Sequence, residues 1–208
     1  DVVFTSFIDD SVSVLRNVGA TGQANFASGK SFRTGRGPVG VSIGDIDRDG
    51  KADLIVTNYW DGSVSIFQNT TVNGNIDFAQ KVDYASGPQP LSVALGDIDR
   101  DGWVDVVVAN SSGSSVSALR NTSVPDSARF LPAVGISSGV VSRWIALGDL
   151  DRDNKLDVAM TNGTDNSISV LRNTSDAVGI GANSFASRVE LSNVTTANSI
   201  ALGDIDGD

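Results

Sequence analysis

Four stretches of the chain alternate serine with an apolar side chain and end on asparagine: SVSVLRN at 11–17, SVSIFQN at 63–69, SVSALRN at 115–121 and SISVLRN at 167–173. Successive side chains of an extended backbone point to opposite faces, so this alternation predicts strands covered on one side. A second set, DLIVTN, DVVVAN and DVAMTN, with DVVFTS at the start, is apolar for three or four consecutive residues. Such a run fits a strand buried on both faces, as in a small sheet sandwiched between two neighbours. A third set, VGVSIGD, LSVALGD, RWIALGD and NSIALGD, is short and β-prone, and a fourth run follows a phenylalanine, as in FAQKVDYASG. One unit therefore reads strand, loop, strand, turn, strand, longer loop, strand, with no helix. The turn into each alternating strand (Asp61-Gly62, Ser112-Gly113, Asp165-Asn166) has hairpin chemistry.

The unit recurs at a fixed period. GDIDRDGKAD, GDIDRDGWVD, GDLDRDNKLD and a shortened GDIDGD begin at Gly44, Gly96, Gly148 and Gly203, spaced by 52, 52 and 55 residues. Phe26, Phe78, Phe130 and Phe185 keep the same spacing, while Asn17, Asn69, Asn121 and Asn173 recur every 52 residues, so three extra residues lie between Asn173 and Phe185. Four short strands in a repeat of this length are the sequence form of a propeller blade. A β-helix would show shorter rungs, and a sandwich no repeat. The expected architecture is all-β: tandem four-stranded blades of a β-propeller type, as an incomplete or open array. Residues 1–208 are expected to form one repeat domain of about four units, with loops at 45–53, 97–105, 149–157 and a partial loop at 204–208.

Each loop carries the pattern D-x-D-x-D-G-x-x-D. Ca²⁺ takes six to eight oxygens at roughly 2.3–2.6 Å, and alternate residues of a tight loop can aim successive carboxylates at one ion. The expected ligands of the first loop are Asp45, Asp47 and Asp49, the Lys51 carbonyl, and Asp53 as a closing bidentate carboxylate. The second set is Asp97, Asp99, Asp101, the Trp103 carbonyl and Asp105; the third is Asp149, Asp151, Asp153, the Lys155 carbonyl and Asp157. Asp204, Asp206 and Asp208, with Asp1 as ninth position from a neighbouring copy, supply a fourth set. Gly50 permits the reversal, and Asn154 replaces it in the third loop as the residue that best tolerates left-handed geometry. An EF-hand is excluded: its twelfth position needs Glu, and Val56, Val108 and Met160 stand there, between strands rather than helices.

Composition sharpens this. Cysteine and histidine are absent, which removes disulfides, Cys/His metal sites and imidazole chemistry, so a metal site must use oxygen. Of the 25 acidic residues only Glu190 is a glutamate, which points to loops rather than helix faces. The net charge of −10 disfavours nucleic acid, yet setting aside the sixteen aspartates of the loop sets turns it to +6. The acidity is local to the loops, where like charges would splay the backbone without a cation. No apolar run approaches the roughly 18 residues of a membrane span. The start lacks an initiating Met and a basic region, as expected of a mature or excised segment.

With these residues in view, the chain resembles the FG-GAP and VCBS repeats of integrin α-subunit-like β-propellers. The resemblance rests on Gly37-Pro38 and Gly87-Pro88, the V-S-I-G-D or V-A-L-G-D run, the aspartate loop and the N-x-x-x-x-S-V-S-V-L-type strand. It implies a loop that joins the first two strands of a blade and binds Ca²⁺, in extracellular modules that mediate adhesion or contact proteins and carbohydrates. Four repeats depart from the usual closed ring of seven. Asp1 aligns with the ninth loop position and Asp208 with the fifth, which raises one period of a longer array, or a fragment of arbitrary length, as equal alternatives.

N-x-[ST] sequons stand at Asn69, Asn110, Asn121, Asn162, Asn173 and Asn193, and the first, third and fifth occupy one repeat position, expected to be exposed and glycosylated. Trp60, Trp103 and Trp144 are either sugar platforms or packing between blades, with Trp103 expected to face solvent. The aspartates outside the loops show no repeated catalytic context, and no nucleophile elbow or phosphate loop occurs. The expected function is therefore a Ca²⁺-stabilised extracellular module for adhesion, recognition or assembly, binding protein, carbohydrate or further copies of itself. The alternatives are a structural subunit of a glycosylated extracellular filament and a fragment of a carbohydrate-active propeller enzyme.

Overall fold

The computed structural model describes residues 1–163, 166–175, 179–192 and 197–205. Among them are fifteen strands and no helix. The first sheet has three strands, β1 (Val2–Ser6), β2 (Ser11–Leu15) and β3 (Lys30–Arg33). Three four-stranded sheets follow. The second holds β4 (Pro38–Gly44), β5 (Asp53–Asn58), β6 (Ser63–Phe67) and β7 (Val82–Ala85); the third holds β8 (Pro90–Gly96), β9 (Asp105–Asn110), β10 (Ser115–Leu119) and β11 (Val134–Ser137). The fourth holds β12 (Ser142–Gly148), β13 (Asp157–Asn162), β14 (Ile168–Leu171) and β15 (Val189–Leu191). Every sheet is an antiparallel meander in chain order, and the sheets stack blade on blade in an open, propeller-like array.

The turns and registers follow the residues. Gly44 pairs with Asp53, so the aspartate loop closes the first hairpin of the blade; Asn58 pairs with Ser63, leaving a four-residue turn, 59–62, in which Gly62 takes a φ of +63°. The longer connection is pinned by the two in-phase landmarks, which pair with each other: Asn17 with Phe26, Asn69 with Phe78, Asn121 with Phe130 and Asn173 with Phe185. The run 198–204, expected to be strand-forming, is not a strand. Strand identity rests on ladder hydrogen bonds, and no described strand pairs with this run.

The continuously apolar strands are sandwiched as expected: β5, β9 and β13 are buried along their whole length. Their alternate side chains feed different cores. Val106 and Val108 pack with Ile55, Val64 and Ile66 of the preceding blade, whereas Val107 and Ala109 pack with Val158 and Met160 of the following one. Burying one Val or Ile side chain contributes ~1.5–3 kcal/mol, so the interfaces between blades supply most of the cohesion. Ile46 and Ile98, which sit between the first two aspartates of their loops, are buried in these same cores. Leu150, their counterpart, stays 44% exposed, because no sheet packs beyond it among the described residues.

One expectation is corrected. The alternating strands β6 and β10 are covered on both faces, and the serine side is an internal polar ladder rather than a solvent face. Asn58 Nδ2 donates to Ser63 Oγ at 3.0 Å and Ser65 Oγ at 2.9 Å; Asn110 does the same to Ser115 and Ser117, and Asn162 to Ser167 and Ser169. Small hydroxyls fit where a buried amide needs acceptors.

Candidate metal centres

Each aspartate loop is held in shape by its own carboxylates. In the first, Asp45 Oδ2 accepts the Gly50 N–H at 3.0 Å and Asp49 Oδ1 accepts the Lys51 N–H at 2.8 Å; Asp97 and Asp101, then Asp149 and Asp153, make the same contacts in the other two. Two residues per loop have left-handed backbone. Gly50, Gly102 and Asn154 do so as the sequence suggested; Arg48, Arg100 and Arg152, at φ of 61°, 58° and 63°, were not legible as such. A non-glycine residue there costs about 1 kcal/mol, strain that a closing ligand would offset.

The closing aspartate is the hub of each loop. Asp53 Oδ2 accepts the Ile46 N–H at 3.0 Å and Oδ1 accepts the Asn69 N–H at 2.7 Å, tying the loop to the end of β6. Asp105 holds Ile98 and Asn121 in the same way, and Asp157 holds Leu150 and Asn173. Burial pushes the Asp53 carboxyl up to about 6 and that of Asp105 to about 7; their two backbone hydrogen bonds oppose this, and repulsion from neighbouring loop aspartates adds to it.

Three carboxylate clusters result: Asp45, Asp47 and Asp53; Asp97, Asp99 and Asp101; Asp149, Asp151 and Asp157. In each, one oxygen per residue lies within 4.8 Å of the others, the span that two oxygens about 2.4 Å from a shared Ca²⁺ can reach. Asp45 Oδ1 is buried without a hydrogen-bond partner, an acceptor a cation would satisfy. The residues fit a hard, oxygen-seeking divalent ion. Asp1 keeps the closing role in part, accepting the Asn17 N–H at 2.8 Å, and Asp204 is exposed. No metal-capable cluster of described residues includes Asp1 or Asp204, and Asp206 and Asp208 lie outside the described residues.

The side chain that precedes the landmark asparagine reaches into each loop, a contact that sequence reasoning missed although the position repeats. Gln68 Nε2 donates to Asp47 Oδ2; Arg120 Nε donates to Asp99 Oδ2 at 2.5 Å and its Nη2 to Asp101 Oδ2 at 2.9 Å; Arg172 reaches Asp151 at 3.5 Å. Lys51 and Lys155 pair with Asp49 and Asp153 from within their own loops.

The expectation of exposed sequons is corrected. Asn121 and Asn173 are fully buried and Asn69 partly so, and the amide nitrogens that would carry glycans are engaged: Asn121 Nδ2 donates to Ile46 O and Val104 O, Asn173 Nδ2 to Ile98 O and Leu156 O, and Asn69 Nδ2 to Ala52 O. Asn110 and Asn162 are the buried amides of the serine ladders, and Asn193 lies outside the described residues. Trp103 is not free to solvent either: the Arg48 guanidinium stacks on its ring at 4.3 Å while Arg48 Nη2 donates to Gly102 O, latching one loop to the next. Trp60 is exposed but packs edge-on to Tyr59 at 4.7 Å and against Phe7 of the neighbouring sheet at 6.2 Å.

Stacked antiparallel blades, of which the three four-stranded ones each carry an acidic loop between their first two strands, define a blade-repeat protein with one carboxylate cluster per full loop. The FG-GAP-like repeat profile matches residues 1–56, 50–108, 97–160 and 149–208, and the chain belongs to that family. Comparison with curated proteins gives no match.

Proposed function

We propose that the three loops bind Ca²⁺ and that the chain is an extracellular, calcium-stabilised module for adhesion or recognition of a protein or carbohydrate ligand. The observation that carries this is the threefold recurrence of a carboxylate cluster at the same blade position, with Asp47, Asp53, Asp99, Asp105 and Asp157 buried and paired with few cations. Buried like charges are costly unless a cation neutralises them. The ligand set is completed by Asp49, Asp101, Asp105 and Asp153 and by the carbonyls of Lys51, Trp103 and Lys155. FG-GAP-like repeats occur in extracellular adhesion and recognition proteins and are in general non-enzymatic. In keeping with binding rather than catalysis, Asp61, Asp77 and Asp83 outside the loops are each paired with a cation, Arg36, Lys30 and Lys81. No helix among the described residues is long and apolar enough to cross a membrane.

Calorimetric titration of the metal-stripped chain with Ca²⁺ tests this. Uptake of about three ions with a raised melting temperature is the expected result; no heat and an unchanged melt would remove the proposal.

A further inference from the structure

The three loops are not equivalent, although their aspartates are. In the first, the buried Asp47 is met by the neutral amide of Gln68, and Lys51, with a side chain 42% exposed, pairs with Asp49 alone. In the second, Arg120 spans two carboxylates at once, the wholly buried Asp99 and the nearly buried Asp101. In the third, Arg172 makes a single, longer and exposed contact. The clusters differ accordingly. The first and third bring together the first, third and ninth loop positions; the second brings together Asp97, Asp99 and Asp101, leaving Asp105 out. A guanidinium fork matches two carboxylates and holds them, whereas a lysine ammonium on a flexible stem, held by one carboxylate, is released at less cost.

We propose that Arg120 is a resident counter-cation of the second loop, competing with the divalent ion there, so that this loop binds metal more weakly than the first. The proposal rests on the calcium reading above. Arg120 must leave Asp99 and Asp101 before their oxygens can turn to an ion, and in the first loop only a neutral amide and a singly paired lysine give way. The same residue lets the second loop keep its shape without metal, since one positive charge already screens its carboxylates.

Trp103 reports most directly on the second loop, and because Arg48 of the first loop stacks on its ring, the effect of Arg120 is read as the change from the unmodified chain, whose first loop is identical. Trp103 occupies the seventh loop position, where the other loops carry Lys51 and Lys155, so Tb³⁺ in the second loop is sensitised through an adjacent indole. Trp144 stands five residues of extended chain before Asp149, roughly 15 Å away, and contributes far less. The metal-stripped chain, R120Q and R120K are titrated with Tb³⁺, with Ca²⁺ calorimetry in parallel. R120Q is expected to shift the sensitised midpoint to at least about tenfold lower Tb³⁺, and R120K to shift it less, because the ammonium keeps charge without the fork. An unchanged or higher midpoint in R120Q, with Ca²⁺ still bound, overturns the proposal and leaves the calcium reading standing. Absence of any uptake by the unmodified chain sinks both. Should R120Q fail to fold, the reciprocal chain decides: Q68R with the reporter moved by K51W and W103K must weaken the first loop by a similar factor, and an unaltered midpoint there overturns the proposal equally.

Discussion

The side-chain amide of Asn121 donates to the carbonyl of Ile46 at 2.8 Å, across 75 residues of sequence and from one blade to the loop of the blade before it. The same amide caps Val104 O of its own loop, and its oxygen accepts the Ser123 N–H. Asn173 repeats the bond to Ile98 O. The landmark asparagine is thus a coupling between consecutive loops, and the first two loops are each fixed from both sides of a blade interface.

Truncating it is expected to be expensive. N121A strands two buried carbonyls and one amide, at about 1–3 kcal/mol for the first unsatisfied group and less for those that relax, so a loss of about 2–4 kcal/mol is expected in urea unfolding. N69A removes the bond to Ala52 O and the bond from the Thr71 N–H, both within its own blade, and should cost less. Equal losses for the two variants would show that the bond between blades contributes nothing.

Much of this was legible beforehand, and the misses share a cause. Period and alternation predicted the strands, the sandwiched DVVVAN run and the place of the loop, because these depend on residues near each other in sequence. What Asn121 bonds to depends on stacking one blade on another, and nothing local announces a partner in Ile46. Ser65 and Ser117 looked like a wet face for the same reason: their acceptors serve Asn58 and Asn110, whose burial only the stacked sheets create. Arg48 at positive φ was invisible because the loop closure, not the residue, imposes that backbone.

The blade interfaces give a second expectation. Ile55 is fully buried between the second and third sheets, and I55A should destabilise the fold by about 2–5 kcal/mol through lost burial and the cavity left behind. Ile43, 54% exposed on the neighbouring strand β4, is the control, and I43A should change stability by no more than about 0.5 kcal/mol. Denaturant midpoints measured with the metal state held fixed check both; comparable effects would mean the cores are not where the stacking places them.

Metal removal should be felt through the whole array, because every loop is bonded to the strand that follows its blade turn. At a free Ca²⁺ concentration a hundredfold above the dissociation constant, each independent site adds about 2.7 kcal/mol to stability. Chelation is therefore expected to lower the melting temperature by well over ten degrees, and D53N to remove part of that difference by loosening one site. Differential scanning calorimetry in calcium and in chelator measures it; superimposable curves would show that the loops hold no structural ion.

The pH dependence of the metal-free chain should run opposite to that of the loaded one. Asp53 and Asp105, raised to about 6 and about 7 from an ordinary 3.8, hold their protons more tightly folded than unfolded. Their stabilising contribution is fully present below about 3.8 and is lost as pH climbs through 6 to 7, where the buried carboxylates ionise. Asp61 and Asp77 act in the other sense: hydrogen bonds from the Arg36 backbone and the Lys30 side chain hold them low, and their contribution vanishes only in acid, outside this window. Ca²⁺ needs the ionised form, so it gains where the bare loops lose. Metal-stripped protein should melt at progressively lower temperature from pH 5 to pH 8, while the calcium-loaded protein should not, and the gap between the two should widen with pH. A metal-free melting temperature that rose across that range would mean the closing aspartates are already ionised and balanced by some other positive charge.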